Sequence, residues 1–198
     1  MQEICKNHLY IFNTNLNLEE IKKSCFKSES FILANQIPNE TIFRNRSNLK
    51  PPKTTELYAS YNLLTINEIG FNYLYHSIKN SFYEIKDSKD QYYIRSWLNM
   101  YRNQNGLAWH SHLPDCKNSW HGYFCVNAEP SITEYRVLGK EISVNNKNNS
   151  IVIGKCQDNH KTVVWDSDEN PRITIAFDII SHKDLEQFGF RINHWIPI

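Results

Sequence analysis

The stretch "QYYIRSWLNMYR" (residues 91–102) is where the chain changes period. Upstream, Ile66, Ile69, Leu74, Ile78, Phe82 and Ile85 recur at spacings of three to five behind the capping box Thr65-x-x-Glu68. That spacing predicts one helix with one buried stripe. From Gln91 onward, apolar and polar residues alternate with period two and aromatics abound, which predicts a half-buried strand. Further strands are expected at about 119–127, 132–137, 150–154, 161–165 and 171–180. The segments "VNNKNNS" (144–150) and "WDSDENP" (165–171) read as loops between them. Short strands following one another without intervening helices indicate a sandwich or jelly roll. The fold class is therefore mainly β with flanking N-terminal helices.

Outward toward the N-terminus lie a short strand at His8–Phe12 and a helix at about 18–26, with Asn17 as N-cap and Glu20 three residues on. The polar segment "RNRSNLKPPKTTELYAS" (44–60), with Pro51-Pro52, reads as a connection able to fold over a pocket. Residues 1–90 are taken as a support integral to one domain whose β core is 91–198.

A chain of 198 residues suits one domain with a sizeable core. Lys and Arg number 22 against 21 Asp and Glu, a formal net charge of +1, so nothing in the balance asks for nucleic acid or a membrane surface. Aromatic residues at 13% with a mean hydropathy of −0.58 describe a globular protein with an aromatic interior. The five cysteines (Cys5, Cys25, Cys116, Cys125, Cys156) form no C-x-x-C pair, which argues against a disulfide framework or a zinc ribbon. With neither a leader pattern at the N-terminus nor an 18-residue apolar run, the cytoplasm is the expected compartment. A homodimer stays open.

The chemistry concentrates in "AWHSHLPDCKNSWHGYF" (108–124). In an extended chain, residues i and i+2 face the same side, so His110 and His112 present two imidazoles together. On their own, such pairs are commonly just solvated strand residues. A third ligand is sought in His160, where a polar loop turns into a strand. Arg172 opens the alternating segment "RITIAFD" with Thr174 on the same face. A guanidinium turned inward needs an anion to offset its desolvation. Turned outward, it would pair with an acidic neighbour such as Asp168 or Glu169. Asn99 and Tyr101, with Trp97, share one face of the first core strand and offer hydrogen-bond donors to a ligand carboxylate.

Taken in order, Asn99-x-Tyr101, His110-x-His112, His160 within "HKT" and Arg172-x-Thr174 within "RITIAFD" resemble the Fe(II)/2-oxoglutarate-dependent oxygenases. Small bacterial and phage members are the nearest likeness, and it covers roughly residues 91–180. The resemblance implies a double-stranded β-helix whose mouth holds Fe(II), with His110, His112 and His160 as ligands. Arg172 and Thr174 would bind the far carboxylate of 2-oxoglutarate, with Asn99 and Tyr101 on the same cosubstrate. His121 or Tyr123, with Trp120 beside them, would lie toward the substrate. The pattern departs from the family at the middle ligand, where a carboxylate is usual. Asp115, three residues after His112, is the alternative ligand. No small residue stands at position 112 to leave room for a halide.

The implied reaction couples decarboxylation of 2-oxoglutarate by O2, giving succinate and CO2, to hydroxylation of a small polar molecule, amino acid or peptide side chain. Segment 50–62 and loop 113–119 are the expected lid and rim, mixing Tyr58, Tyr61 and Trp120 with Lys50, Lys53 and Lys117. Nucleic-acid repair is disfavoured because Asp178 stands where repair dioxygenases place a second arginine. Two other readings stay open: a three-histidine cupin dioxygenase without 2-oxoglutarate, and a jelly-roll binding module with no catalysis.

Overall fold

The computed structural model describes residues 1–35, 54–86, 90–102, 105–113, 115–165, 169–188 and 194–198. In chain order the strands are β1 Gln2–Cys5, β2 Leu9–Asn13, β3 Tyr92–Tyr101, β4 Asn105–His110, β5 Trp120–Asn127, β6 Ser131–Val137, β7 Lys140–Asn146, β8 Ser150–Lys155, β9 Asn159–Trp165, β10 Arg172–Ser181 and β11 Ile196–Pro197. The helices are α1 Leu18–Ala34, α2 Ile69–Ile85 and α3 His182–Phe188, with 3-10 turns at Thr54–Leu57 and Leu63–Thr65.

Two antiparallel sheets face each other. The larger runs β1-β2-β8-β5-β10-β3-β11 and the smaller β4-β9-β6-β7. This is the expected jelly roll, and residues 1–90 contribute two strands of its larger sheet. The stretch 91–102 is not the half-buried strand its alternation suggests: every residue of β3 except Arg95 is buried, and all of β10 is. The reason is that both faces of the large sheet are covered. On the outer face Ile21, Cys25 and Ile32 of α1 and Phe71, Leu74, Ile78 and Phe82 of α2 pack on Leu98, Phe124, Ile175, Phe177 and Ile179. Each such side chain withdrawn from water contributes about 1.5–3 kcal/mol, so this layer dominates the stability. The inner face closes on the small sheet through Tyr123, Tyr135, Val144 and Val152.

Both long helices depart in detail from the sequence reading. Asn17 caps α1 by accepting the Glu20 amide at 3.2 Å, but the helix continues to Ala34 because Ser24 and Ser28 lie buried within its stripe. The box at Thr65 opens no helix. The Thr65 hydroxyl donates to the Asn62 carbonyl and closes a 3-10 turn, while the Glu68 carboxylate is taken by Ser24 and Lys27 of α1. Helix α2 starts at Ile69, which is 56% exposed, and Phe71 takes its expected place in the core.

Strands β1, β4, β7 and β11 and helix α3 were not anticipated. For β7, "VNNKNNS" reads as a loop because asparagine is rare in strands. Here Asn146 is buried and compensated: its amide donates to Ser131 and Thr133, and its carbonyl accepts the Tyr123 hydroxyl at 2.8 Å. A two-residue turn, Leu138-Gly139, joins β6 to β7 with φ of 49° and 77°. Positive φ at both positions is what a tight antiparallel hairpin requires, and glycine supplies one of them without strain. Among the described residues, no helix is long and apolar enough to cross a membrane. Lys50, Lys53 and Asp168 lie outside the described residues.

Candidate active site

Three histidines meet at one end of the space between the sheets. His110 ends β4 and pairs in register with His160 of β9. His112 lies two residues beyond, its backbone amide fixed on the Cys156 carbonyl at 2.8 Å. The His110 and His160 rings are 4.2 Å apart, and the His112 ring lies 5.2 and 5.1 Å from them. One ring nitrogen from each lies within 4.8 Å of the others. Register across β4 and β9, and not i, i+2 spacing alone, makes the constellation.

Each ring has an oxygen opposite its Nδ1. His110 Nδ1 faces the Ala108 carbonyl at 2.8 Å, His112 Nδ1 faces Asp178 Oδ1 at 2.6 Å, and His160 Nδ1 faces the Asp158 carbonyl at 3.4 Å. With the proton on Nδ1, the lone pair of each imidazole sits on Nε2, the form that binds a metal. Burial, and then the neighbouring imidazoles, hold the pKa of His160 well below its ordinary value, and burial foremost lowers that of His110. Both are therefore neutral donors at neutral pH.

His121 is a fourth imidazole beside this group. It is 1% exposed and stacks on His160 at 4.2 Å with an 8° tilt. Burial first, then the three other histidines, lowers its pKa strongly. A Cβ at Gly154 would come within 3.0 Å of its Nε2, so the glycine gives the ring its room. His121 thus lines the cavity as a buttress behind His160.

The other end of the cavity carries Arg172, 2% exposed. Its Nε donates to Ser131 Oγ at 2.9 Å, its Nη1 reaches Thr174 Oγ1 at 3.4 Å, and its guanidinium lies 5.7 Å from the Tyr101 ring centre. Glu169, one suggested outward partner, is exposed and forms no ion pair with it. Among the described residues Arg172 has no carboxylate partner, which leaves a buried cation facing a cavity. Register places Tyr101 opposite Arg172 and Asn99 opposite Thr174. Asn99 Oδ1 accepts the Thr55 hydroxyl at 2.9 Å, so its NH2 is the group turned to other uses. Burial raises the Tyr101 pKa, and the phenol stays protonated as a donor.

Three expectations are corrected. Asp115 is exposed and outside the metal-competent group, because the turn after His112 carries it to the surface. Trp120 faces away from the cavity: strand alternation that points His121 and Tyr123 inward turns Trp120 to the helices, against Phe82 at 6.3 Å and under Lys155 Nζ at 3.8 Å. Tyr61 is no rim residue. Its hydroxyl accepts the Leu98 amide at 3.0 Å and donates to the Thr54 carbonyl, pinning that turn to β3. Tyr123 lines the cavity, with its hydroxyl already given to Asn146. Tyr58, 43% exposed, lies 5.6 Å from Trp97, which lines the cavity.

Asp178 and Arg95 were missed as site residues. Asp178 shares its strand face with Arg172 and Thr174, and Arg95 shares one with Trp97, Asn99 and Tyr101. The alternation could have found both.

No family model matches the sequence, and no curated protein is significantly similar to it. Solved structures share its fold. A prolyl hydroxylase from Trichoplax adhaerens, in complex with a hypoxia inducible factor oxygen degradation domain peptide fragment, superposes with a TM-score of 0.66 at 9% identity, covering 94% of this chain and 89% of that one. A prolyl-4-hydroxylase from Pseudomonas putida gives 0.53 at 10%, covering 88% and 87%. The non-heme alpha ketoglutarate dependent epimerase SnoN from nogalamycin biosynthesis gives 0.56 at 9%, covering 87% and 78%. The fold is the double-stranded β-helix of the 2-oxoglutarate–Fe(II) oxygenases.

Proposed function

We propose that the protein is an Fe(II)- and 2-oxoglutarate-dependent oxygenase that hydroxylates a small polar molecule, an amino acid or a peptide side chain. One observation carries the reading: three imidazoles with ring nitrogens within 4.8 Å of one another and a buried guanidinium without an anionic partner among the described residues line one cavity.

The donor set fits the metal. Three neutral imidazoles suit a divalent first-row ion, and His110, His112 and His160 would hold it. Bound iron, with the oxoacid, would supply the activation of O2 that side chains cannot perform. Arg172 would take the far carboxylate of 2-oxoglutarate in a two-pronged contact, which a planar fork makes better than a lysine point charge. Thr174, the Asn99 NH2 and the Tyr101 hydroxyl add donors around the same ligand. Trp97 and Tyr123, both 6% exposed, line the cavity and would wall the bound cosubstrate. Tyr58, beside Trp97, would meet the substrate. The five cysteines are free thiols, which suits a reducing cytoplasm.

The reading is tested by incubating the protein with Fe(II), 2-oxoglutarate and O2 across a panel of amino acids, peptides and small polar metabolites. The expected result is succinate in excess of controls, stimulated by one substrate class. Iron uptake with O2 consumption that ignores 2-oxoglutarate would favour a three-histidine dioxygenase. No metal uptake would leave a binding module.

A further inference from the structure

The metal-competent group contains no carboxylate, yet a carboxylate touches it. Asp178 of β10 places Oδ1 2.6 Å from His112 Nδ1 and Oδ2 3.2 Å from Arg95 Nη2. Its side chain is 3% exposed, so both contacts form away from water. The Arg95 guanidinium sits among three rings, Tyr58 at 5.2 Å, Trp97 at 5.8 Å and Trp195 at 5.0 Å. These contacts make a continuous chain from the cavity edge to one imidazole. The other two histidines of the group rest their Nδ1 atoms on backbone carbonyls, which carry no net charge.

We propose that Asp178 is a positioning residue for a divalent metal at the His110–His112–His160 centre, acting through His112, with Arg95 as its clamp. The carboxylate that a 2-His-1-carboxylate centre places on the metal stands here one imidazole away. Two consequences follow from the contact. Asp178 accepts the Nδ1 proton, so the lone pair of His112 stays on Nε2, and it fixes the ring plane. Its negative charge sits against His112 and not against His110 or His160, whose Nδ1 atoms face backbone carbonyls. Arg95 is needed because a buried carboxylate is costly unless a countercharge holds it, and Arg95 is that countercharge at 3.2 Å. Cation–π contacts with the three rings favour the guanidinium in this position. Asp178 is not among the residues that line the cavity. The assignment rests on the metal reading of the three histidines but not on 2-oxoglutarate or on any reaction.

The test is Co(II) affinity, measured by calorimetry and by the visible d–d bands of the bound ion, on wild type, Asp178→Asn, Asp178→Ala and the double variant Arg95→Met/Asp178→Ala. The double variant removes the cation that Asp178→Ala strands, and it carries the comparison if the single variant does not fold. Replacing such a carboxylate typically costs 10–100-fold in metal affinity. That loss is expected for the alanine variants, with altered d–d bands. Asp178→Asn, which can still accept the Nδ1 proton, should recover part of it. Wild-type Co(II) binding with all variants within two-fold and unchanged bands would overturn the assignment and leave the metal site standing. A wild-type protein that binds no Co(II) would overturn the metal reading, and this assignment with it.

Discussion

The two faces of the seven-stranded sheet are made by the same strands and do opposite work. On β10 the residues turned to the helices are Ile173, Ile175, Phe177 and Ile179, all members of the helix-side core. Those turned inward are Arg172, Thr174, Ala176 and Asp178. All eight are buried. The outer face contributes stability through area and close packing: a Cβ on Gly122 would already meet the Phe177 ring at 2.5 Å. The inner face holds polar groups that cost free energy to bury and are retained for what they hold. Stability and chemistry are therefore separable by residue parity, and substitutions on the two faces should move different observables.

The largest effect should come from the inner face. Replacing His160 by alanine removes one of three donors, and we expect metal affinity to fall by more than about 100-fold, beyond the range for outer-shell partners. Co(II) titration measures it, and binding within ten-fold of wild type would contradict the ligand set.

Next is Phe177→Ala on the outer face, expected to destabilise by about 3–5 kcal/mol. Thermal unfolding should show a drop of roughly 6–20 °C for a domain of this size. Metal affinity of the folded protein should stay as in wild type. A loss of metal affinity without a loss of stability would break the separation of the faces.

Arg172→Ala should raise the KM for 2-oxoglutarate by roughly 10–100-fold, the scale of losing a charge-assisted hydrogen-bonded pair, while Co(II) affinity stays unchanged. An unaltered KM would remove Arg172 from the cosubstrate.

The inner face should also show in the pH dependence of the metal-free protein. The folded-state pKa values of His121 and His160 are lowered, by burial above all. Below their ordinary value of about 6.5 the unfolded chain binds protons that the folded chain does not. Stability is thus fully present above that pH and is lost as pH falls through it, at up to about 1.4 kcal/mol per pH unit for each group. Unfolding midpoints in denaturant between pH 7.5 and 5.5 report the slope, and His121→Phe should flatten it. A slope unchanged by that substitution would remove His121 from the account.

The smallest effect belongs to Trp120→Phe. The ring packs among helix-side residues, so a modest stability loss and an unchanged KM are expected. A KM shift comparable with that of Arg172→Ala would return Trp120 to the cavity.

Much of this was legible because alternation survives in the sequence even where burial hides it. "RITIAFD" shows both faces of β10 at once, and Asn99, Tyr101, His110, His112, His160, Arg172 and Thr174, legible in order along the chain, line one cavity. What failed did so for physical reasons. Asn146 is tolerated in a strand only because Tyr123, Ser131 and Thr133 satisfy it, partners invisible to local reading. The length of α1 was hidden by serines that tertiary packing buries. The capping box at Thr65 was a local signal overridden when Glu68 paired with a distant helix. Asp178 was read only for the arginine it is not, although its parity with Arg172 placed it on the site's side.

The central claim is that three imidazoles hold iron within reach of an oxoacid anchored by Arg172. Anaerobic addition of 2-oxoglutarate to the Fe(II)-loaded protein, followed in the visible spectrum, tests it most directly. A weak charge-transfer band is expected in the wild type, absent from His160→Ala and requiring far more 2-oxoglutarate in Arg172→Ala. Iron-loaded wild type that develops no band at saturating 2-oxoglutarate would contradict it.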